Sequence, residues 1–263
     1  MGCFSSASIL QQPRPWAAEV RENKMADPQA KPEKKEEVHF YPGEKLLLYL
    51  VNDKVILPAE AWGGPSKRQP KEKGERIAAV PTTPGTFIID GTEAYTTTTW
   101  DWSRVRWGTR IRRSRSLPAR VAEYEKSPGK WRSLTRDFGW TVSDIGDAYK
   151  NLYGLWEFPD RWIFNDFGPK AIRYYRDRNA NRRRDANEPL EGEMIHTTPD
   201  NEAESDKYGA DSKEVELFES HGCIHIKPID FGAFRDAGAF RQGMTLIIHR
   251  YPERYGAMDT ETP

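Results

Sequence analysis

Ser220-His221-Gly222-Cys223-Ile224 is the stretch on which the reading of this chain turns. A cysteine attacks a carbonyl as its thiolate, and an ordinary thiol is only a few per cent thiolate at neutral pH. A nearby imidazole solves this by taking the proton. Gly222 removes a side chain where a ligand must come close, and consecutive backbone N–H groups at such a turn can face a developing oxyanion. His221 is poorly placed as the base, because residues two apart on a strand stand about 6–7 Å from each other. His196 is the better candidate. It follows the apolar pair Met194-Ile195 and precedes Thr197-Thr198-Pro199, so it falls where a strand ends.

Outward from this segment the pattern is mainly β. Lys45–Val51 and Lys54–Leu57 flank Asn52-Asp53 as a hairpin. Arg76–Val80 and Thr86–Asp90 flank Pro81-Thr82-Thr83-Pro84-Gly85, and the threonine- and aromatic-rich run Tyr95–Trp102 suits a further strand. Strand patterning returns at Arg161–Phe164, Lys170–Tyr175, Glu193–Ile195, Gly222–Ile226 and Met244–Tyr251. Between them, residues 119–160 read as a helical insertion, with helices at Arg120–Tyr124 and Ser143–Tyr153, the second capped by Ser143 and ended by Gly154. Residues 1–38, broken by Pro13, Pro15, Pro28 and Pro32 and nearly all charged from Lys31 to Glu37, read as a tail; 255–263 read as another. The folded domain is therefore expected over 39–254.

Acidic and basic residues balance at 40 each among 263, so no global field calls for a polyanionic partner, and no nucleic acid is expected. Arg104, Arg106, Arg110, Arg112, Arg113 and Arg115 crowd together around Trp107, a patch read as a solvated surface in preference to an anion site. Two cysteines, Cys3 and Cys223, exclude a disulfide framework. No apolar run reaches the roughly 18–20 residues that span a bilayer, and the first residues do not form a signal peptide. Met1-Gly2-Cys3-Phe4-Ser5-Ser6 fits the short myristoylation pattern, with Cys3 as a palmitoyl site.

Ser220-His221-Gly222-Cys223-Ile224 with a strand-terminal histidine upstream resembles the L,D-transpeptidases with a YkuD-like catalytic domain. Thr83-Pro84-Gly85-Thr86-Phe87 resembles that family's Thr-Pro-x-Gly-x-Phe turn, with one residue fewer between Pro and Gly. Trp107-Gly108-Thr109-Arg110 resembles its Trp-Gly segment, and Gly243-Met244-Thr245-Leu246-Ile247-Ile248 its last strand. The resemblance implies a β-sandwich, here with a short helical insertion, and a monomer acting on peptidoglycan stem peptides as donor and acceptor. Cys223 would attack the carbonyl of the third residue of a stem tetrapeptide and release the terminal D-alanine. An acceptor amine would give a 3→3 cross-link, water an L,D-carboxypeptidase, and a carbapenem would acylate the same thiol. His196 would be the base, with the carbonyl of Thr197 orienting it. The N–H groups of Gly222 and Cys223 would form the oxyanion hole, Ser220 and His221 shaping the turn. His225, Trp107 and Arg110 would contact substrate, and neither cofactor nor metal would be needed. Such a substrate implies the cell envelope or periplasm, with a cytoplasmic or non-classically exported protein as the alternative because no signal peptide is read.

Three features depart from the family, one being that neither an export signal nor a wall-binding module is read in the sequence. The segment from Thr197 to Glu219 is longer than usual, 23 residues, and reads as a lid. His225 stands where arginine is common. Rival readings are a zinc site built from His196, His221, Cys223 and His225, a non-catalytic envelope-binding domain, and a calcium loop from Asp177, Asn179, Asn181, Asp185 and Glu188. In that loop Arg182 occupies the position that requires glycine.

Overall fold

The computed structural model describes residues 34–71, 77–114, 121–209 and 214–256. The expected tail up to residue 33 with Gly2 and Cys3, the C-terminal residues from 257, and Arg76 and Arg115 lie outside the described residues. Strands run in chain order as β1 (Glu36–Tyr41), β2 (Leu46–Val51), β3 (Lys54–Trp62), β4 (Gly85–Glu93), β5 (Ile111–Arg113) and β6 (Ala122–Ser127). They continue with β7 (Lys130–Ser133), β8 (Ala171–Tyr175), β9 (Ile195–His196), β10 (Ile224–Ile226) and β11 (Thr245–Ile248). Helices are α1 (Leu134–Phe138), α2 (Val142–Tyr153), α3 (Pro199–Tyr208) and α4 (Pro228–Asp236).

The mainly β class with a helical insertion is what the structure shows. Among the described residues the main sheet closes on itself in the order β1-β11-β4-β8-β9-β10-β3-β2, so the layers expected of a sandwich are joined at both edges. Closure at β3 is short, β10 meeting it only at Trp62 and Ala61. β1 pairs with β11 in parallel and β9 with β10 in parallel, the other neighbours being antiparallel. Asn52 and Asp53 both take positive φ, 49° and 61°, in the tight turn between β2 and β3, as short-side-chain residues can. The interior is filled by alternate residues of the strands, among them Val38, Phe40, Leu47, Tyr49, Phe87, Ile89, Ile172, Tyr174, Ile195, Ile224, Ile226, Leu246 and Ile248.

A second core lies under β5, β6 and β7, which form their own sheet. Ile111, Tyr124, Leu134, Ile145, Trp162 and Phe164 are buried in it with Trp102 and Trp140 packed alongside. The expected helix over Arg120–Tyr124 is instead the start of β6. Ala122 and Tyr124 are buried and Glu123 and Glu125 only partly so, a period of two that lays Tyr124 opposite Ile111. α2 matches expectation at its end, Gly154 taking φ 73° as the C-cap. Its N-cap is Thr141 rather than Ser143, in a reciprocal capping box with Asp144.

Three expected strands do not form. Of Arg76–Val80, the described residues 77–80 carry no strand. Tyr95–Trp102 turns on itself: the Thr99 N–H and the Thr97 hydroxyl bond locally at 3.1 and 3.2 Å, an alternative to a ladder. Arg161–Phe164 makes one isolated bridge, from Arg161 to Arg110, because Trp162 turns into the second core. The lid-like segment contains α3, started by Thr198 and Pro199 and tied down by the Asn201 amide donating to the Glu216 carbonyl at 2.7 Å. No described helix is long and apolar enough to cross a membrane.

Candidate active site

The register of β9 against β10 builds the site. Ile195 lies opposite Ile224 and His196 opposite His225. Both isoleucines point into the barrel, so by alternation Met194, His196, Cys223 and His225 share the outer face. Cys223 and His196 are thus diagonal neighbours on adjacent strands, a separation that a ring and a thiol can bridge. Both line one cavity of about 540 Å³, together with Ser220, His221 and His225.

His196 is buried, and its Nδ1–H donates to the Thr197 carbonyl at 2.7 Å. A carbonyl can only accept, so the proton is on Nδ1 and the Nε2 lone pair is left to act as a base. Burial, reinforced by neighbouring His225, pushes the imidazole pKa down to about 3, the Thr197 bond opposing it weakly. Burial likewise pushes the Cys223 thiol up to about 12, with the Met194 N–H opposing. The sulfur keeps one face on the cavity while protein surrounds the rest. Both shifts favour the uncharged forms of the thiol and the imidazole.

Ser220 ties the turn together. Its hydroxyl donates to the Cys223 carbonyl at 2.5 Å and accepts from the Gly222 N–H at 3.0 Å, and its own N–H donates to the Gly63 carbonyl. The Gly222 N–H is thereby engaged, which corrects its expected place beside the Cys223 N–H in an oxyanion hole. Gly222 takes φ 125°, and a Cβ there would stand 3.3 Å from both Glu193 Oε1 and Val80 Cγ2. Gly64 lies still closer to its neighbours: a Cβ would fall 1.8 Å from the Val80 carbonyl oxygen, so only glycine lets this strand end support the turn. The Tyr251 hydroxyl donates to the Gly64 carbonyl from the far end of the chain.

His221 reaches the cavity with its ring edge-on to Trp100 at 5.2 Å. His225 meets His196 edge to face at 4.9 Å, and its Nδ1–H donates to the Phe218 carbonyl at 3.0 Å. Burial pushes the His225 pKa down to about 4, so it carries no charge at neutral pH. Trp107 and Arg110 are not among the residues lining this cavity, a correction to their expected substrate contact. Arg110 lines a separate groove with Arg104, Arg106 and Lys126, and its guanidinium pairs with Glu125 at 3.4 Å. The intervening second core, which draws Trp162 and Phe164 inward, keeps the Trp107–Arg110 segment on its own side.

Among the wall residues that the sequence reading missed are Trp100, Asp166, Phe167 and Glu193. Phe167 packs against the His196 ring at 4.9 Å, the two planes tilted by 57°. Glu193 accepts from the Thr83 N–H and hydroxyl, at 3.0 and 2.7 Å, tying the turn before β4 to the approach to β9. Its position three residues before His196 was the one available signal.

Neither metal reading assembles. Among the described residues no three His, Cys, Asp or Glu side chains converge in a way that could hold a metal ion. In the Asp177–Glu188 loop the carboxylates are used internally: Asp177 accepts from the Asn181 and Arg182 N–H groups, and Glu188 from those of Arg178 and Asp185.

No family model and no curated protein matches the chain. Among solved structures it is similar to an L,D-transpeptidase from Xylanimonas cellulosilytica, at 10% identity and a TM-score of 0.34, over 85% of this chain and 65% of that one. It is similar also to L,D-transpeptidase 1 of Mycobacterium tuberculosis, at 12% identity and a TM-score of 0.31, over 82% and 62% of the two chains. A third similar structure is an L,D-transpeptidase from Mycobacterium smegmatis, at 13% identity and a TM-score of 0.32, over 82% and 59%. The chain thus spans under two thirds of the length of each.

Proposed function

We propose that the chain is a cysteine acyltransferase acting on peptide amides, with Cys223 as nucleophile and His196 as base. The observation that carries the reading is the bond from His196 Nδ1 to the Thr197 carbonyl, which leaves a basic Nε2 on the same strand face and in the same cavity as the thiol. In the acylation step a bond forms from Cys223 Sγ to the substrate carbonyl carbon. The thiol proton passes to His196 Nε2 and on to the leaving nitrogen as the C–N bond breaks. In the second step an amine attacks the thioester, its proton goes through His196 back to sulfur, and the S–C bond breaks. Water in place of the amine makes the reaction a hydrolysis. The Cys223 N–H faces the oxyanion, and the Gly222 N–H joins it only by leaving the Ser220 hydroxyl.

Peptidoglycan stem peptides are the substrate class implied by the sequence resemblance, with the cell envelope as the site of action and 3→3 cross-linking as the outcome when the acceptor is an amine. The test is intact-mass measurement after exposure to a neutral, activated aryl ester of a short acylated peptide. One acyl mass on Cys223 with release of the aryl alcohol is expected, and none in Cys223→Ala. A folded wild-type protein with a free thiol and no adduct would refute the assignment.

A further inference from the structure

β9 ends at His196, so the carbonyl that orients the base belongs to a residue beyond the ladder, Thr197. The bond from His196 Nδ1–H to that carbonyl joins adjacent residues. It survives only while the Thr197 ψ angle keeps the oxygen turned to the ring, and something other than strand pairing must hold that angle. Thr197 is buried, and its hydroxyl donates to Glu202 Oε1 at 2.5 Å, the length of a bond to an ionised acceptor. On its other side lies Gly168, with φ 59°: a Cβ there would fall 2.2 Å from Thr197 Oγ1 and 3.1 Å from the Thr197 carbonyl oxygen. A β-branched residue has few χ1 states, so a hydroxyl fixed between a carboxylate and a glycine fixes the peptide unit that carries it. The next residue is held as well. Thr198 caps α3 by accepting from the Asn201 N–H at 3.2 Å, and Pro199 after it favours the extended backbone that Thr198 takes.

Glu202 is half-buried in the first turn of α3. Burial raises its carboxyl pKa, and the Thr197 hydroxyl works against that rise, so the pairing is costly to leave unmade. The helix is anchored away from the site by Asp206, which accepts from the Tyr153 hydroxyl at 3.1 Å, and by the Asn201 bond to the Glu216 carbonyl. Resting on the acyl-transfer reading above, we propose that Glu202 is a positioning residue for the base: through the Thr197 hydroxyl it holds the carbonyl that keeps the His196 proton on Nδ1 and leaves Nε2 bare. Glu202 is not among the residues lining the cavity and acts only through Thr197. The segment after His196 then does more than cover the thiol. Its helix carries the group that fixes the base, so acyl transfer depends on α3 being seated.

Two measurements on one series of variants test this. Acylation of Cys223 by the neutral aryl ester gives the rate. Nitrogen NMR of protein labelled at histidine shows which nitrogen of the His196 ring carries the proton, its signals being identified by their loss in His196→Ala. Folded Glu202→Ala should acylate at least about tenfold more slowly, with kcat changed more than KM, and its His196 signals should show mixed tautomers. Glu202→Gln keeps an acceptor oxygen and should restore most of the rate and the Nδ1–H form. Thr197→Val removes the donor instead and should reproduce the loss. Glu202→Ala/Thr197→Val should be no slower than either single variant, because both break one bond. If Glu202→Ala does not fold, Thr197→Val set against Thr197→Ser carries the same comparison. A wild-type rate in folded Glu202→Ala, a slowed reaction with the Nδ1–H signal unchanged, or additive losses in the double variant overturns the inference and leaves the acyl-transfer reading standing. Failure of the wild-type protein to react with the ester overturns both.

Discussion

The barrel and the second core are held together by different means. In the barrel, backbone ladders set the register, and the interior is largely aliphatic and Phe-rich, from Val38 and Leu47 to Ile224 and Leu246. The second core has only the short β5-β6-β7 sheet and relies on large rings: Trp102 stacks on Trp140 at 3.7 Å and lies 5.5 Å from Trp162. The proposed nucleophile and base sit on the laddered part, where a two-residue strand such as β9 is held by neighbours on both sides. The aromatic wall residues Trp100 and Phe167 belong to neither, packing with Ala171 and Met194 in a small cluster of their own. Asn165 joins this cluster to the second core: its buried amide donates to the carbonyls of Tyr95 and Val105, while its Oδ1 accepts from the N–H of Phe167, a wall residue. Precision comes from the ladder, and shape from the aromatic packing beside it.

The largest effects should come from the laddered face. Cys223→Ala and His196→Ala should each lower acyl transfer by at least about 10³-fold. Cys223→Ala should keep its melting temperature near wild type, since the change removes only a small partly exposed group. If turnover persists in Cys223→Ala, the chemistry does not belong to the barrel at all.

Next in size is Trp162→Ala, which empties a fully buried site in the second core and removes the indole N–H bond to the Trp102 carbonyl. It should cost about 3–5 kcal/mol in denaturant unfolding. A neutral aryl ester should still acylate Cys223 at conditions where the variant is folded; loss of that reaction would mean that the two regions are not separable in function. Asn165→Ala should cost less, about 1–3 kcal/mol, because it leaves buried carbonyls unmet. Its diagnostic effect is a raised KM for peptide donors with a smaller change in kcat, since it loosens the wall and not the thiol–imidazole pair.

The smallest effect is local and depends on acid. His196 and His225 have pKa values lowered by burial from 6.5 to about 3 and about 4. Groups depressed in this way contribute stability that is full above the unfolded value, near 6.5, and is lost as pH falls through the folded values. Residues 101–165 contain no histidine. Between pH 7 and 4.5, hydrogen exchange corrected for its intrinsic rate should therefore speed up at β9 and β10 and stay level at β6 and β7. Uniform acceleration across both regions would show that the acid response is global.

Much of the site was legible because it is written in consecutive residues. Ser220 to Cys223 carries nucleophile, glycine and turn-forming hydroxyl within four positions, and His196 is marked by the apolar pair before it and the Thr-Thr-Pro stop after it. The β2–β3 hairpin was legible for the same reason, two short polar residues between apolar runs. Tyr95–Trp102 and Arg120–Tyr124 were misread because their residue types suit more than one local structure, and distant partners decided: Asn165 and Ser103 for the first, Ile111 for the second.

By itself, then, the sequence determined a mainly β scaffold and singled out the groups proposed to react, since both depend on residue type and short-range pattern. Only the tertiary structure decided that the sheet closes, that Gly222 gives its N–H to Ser220, that Arg110 belongs to another groove, and that Asp166 and Glu193 line the same cavity as the thiol. Each of those depends on contacts between residues far apart in the chain, and such contacts form only when burial and backbone pairing are satisfied together.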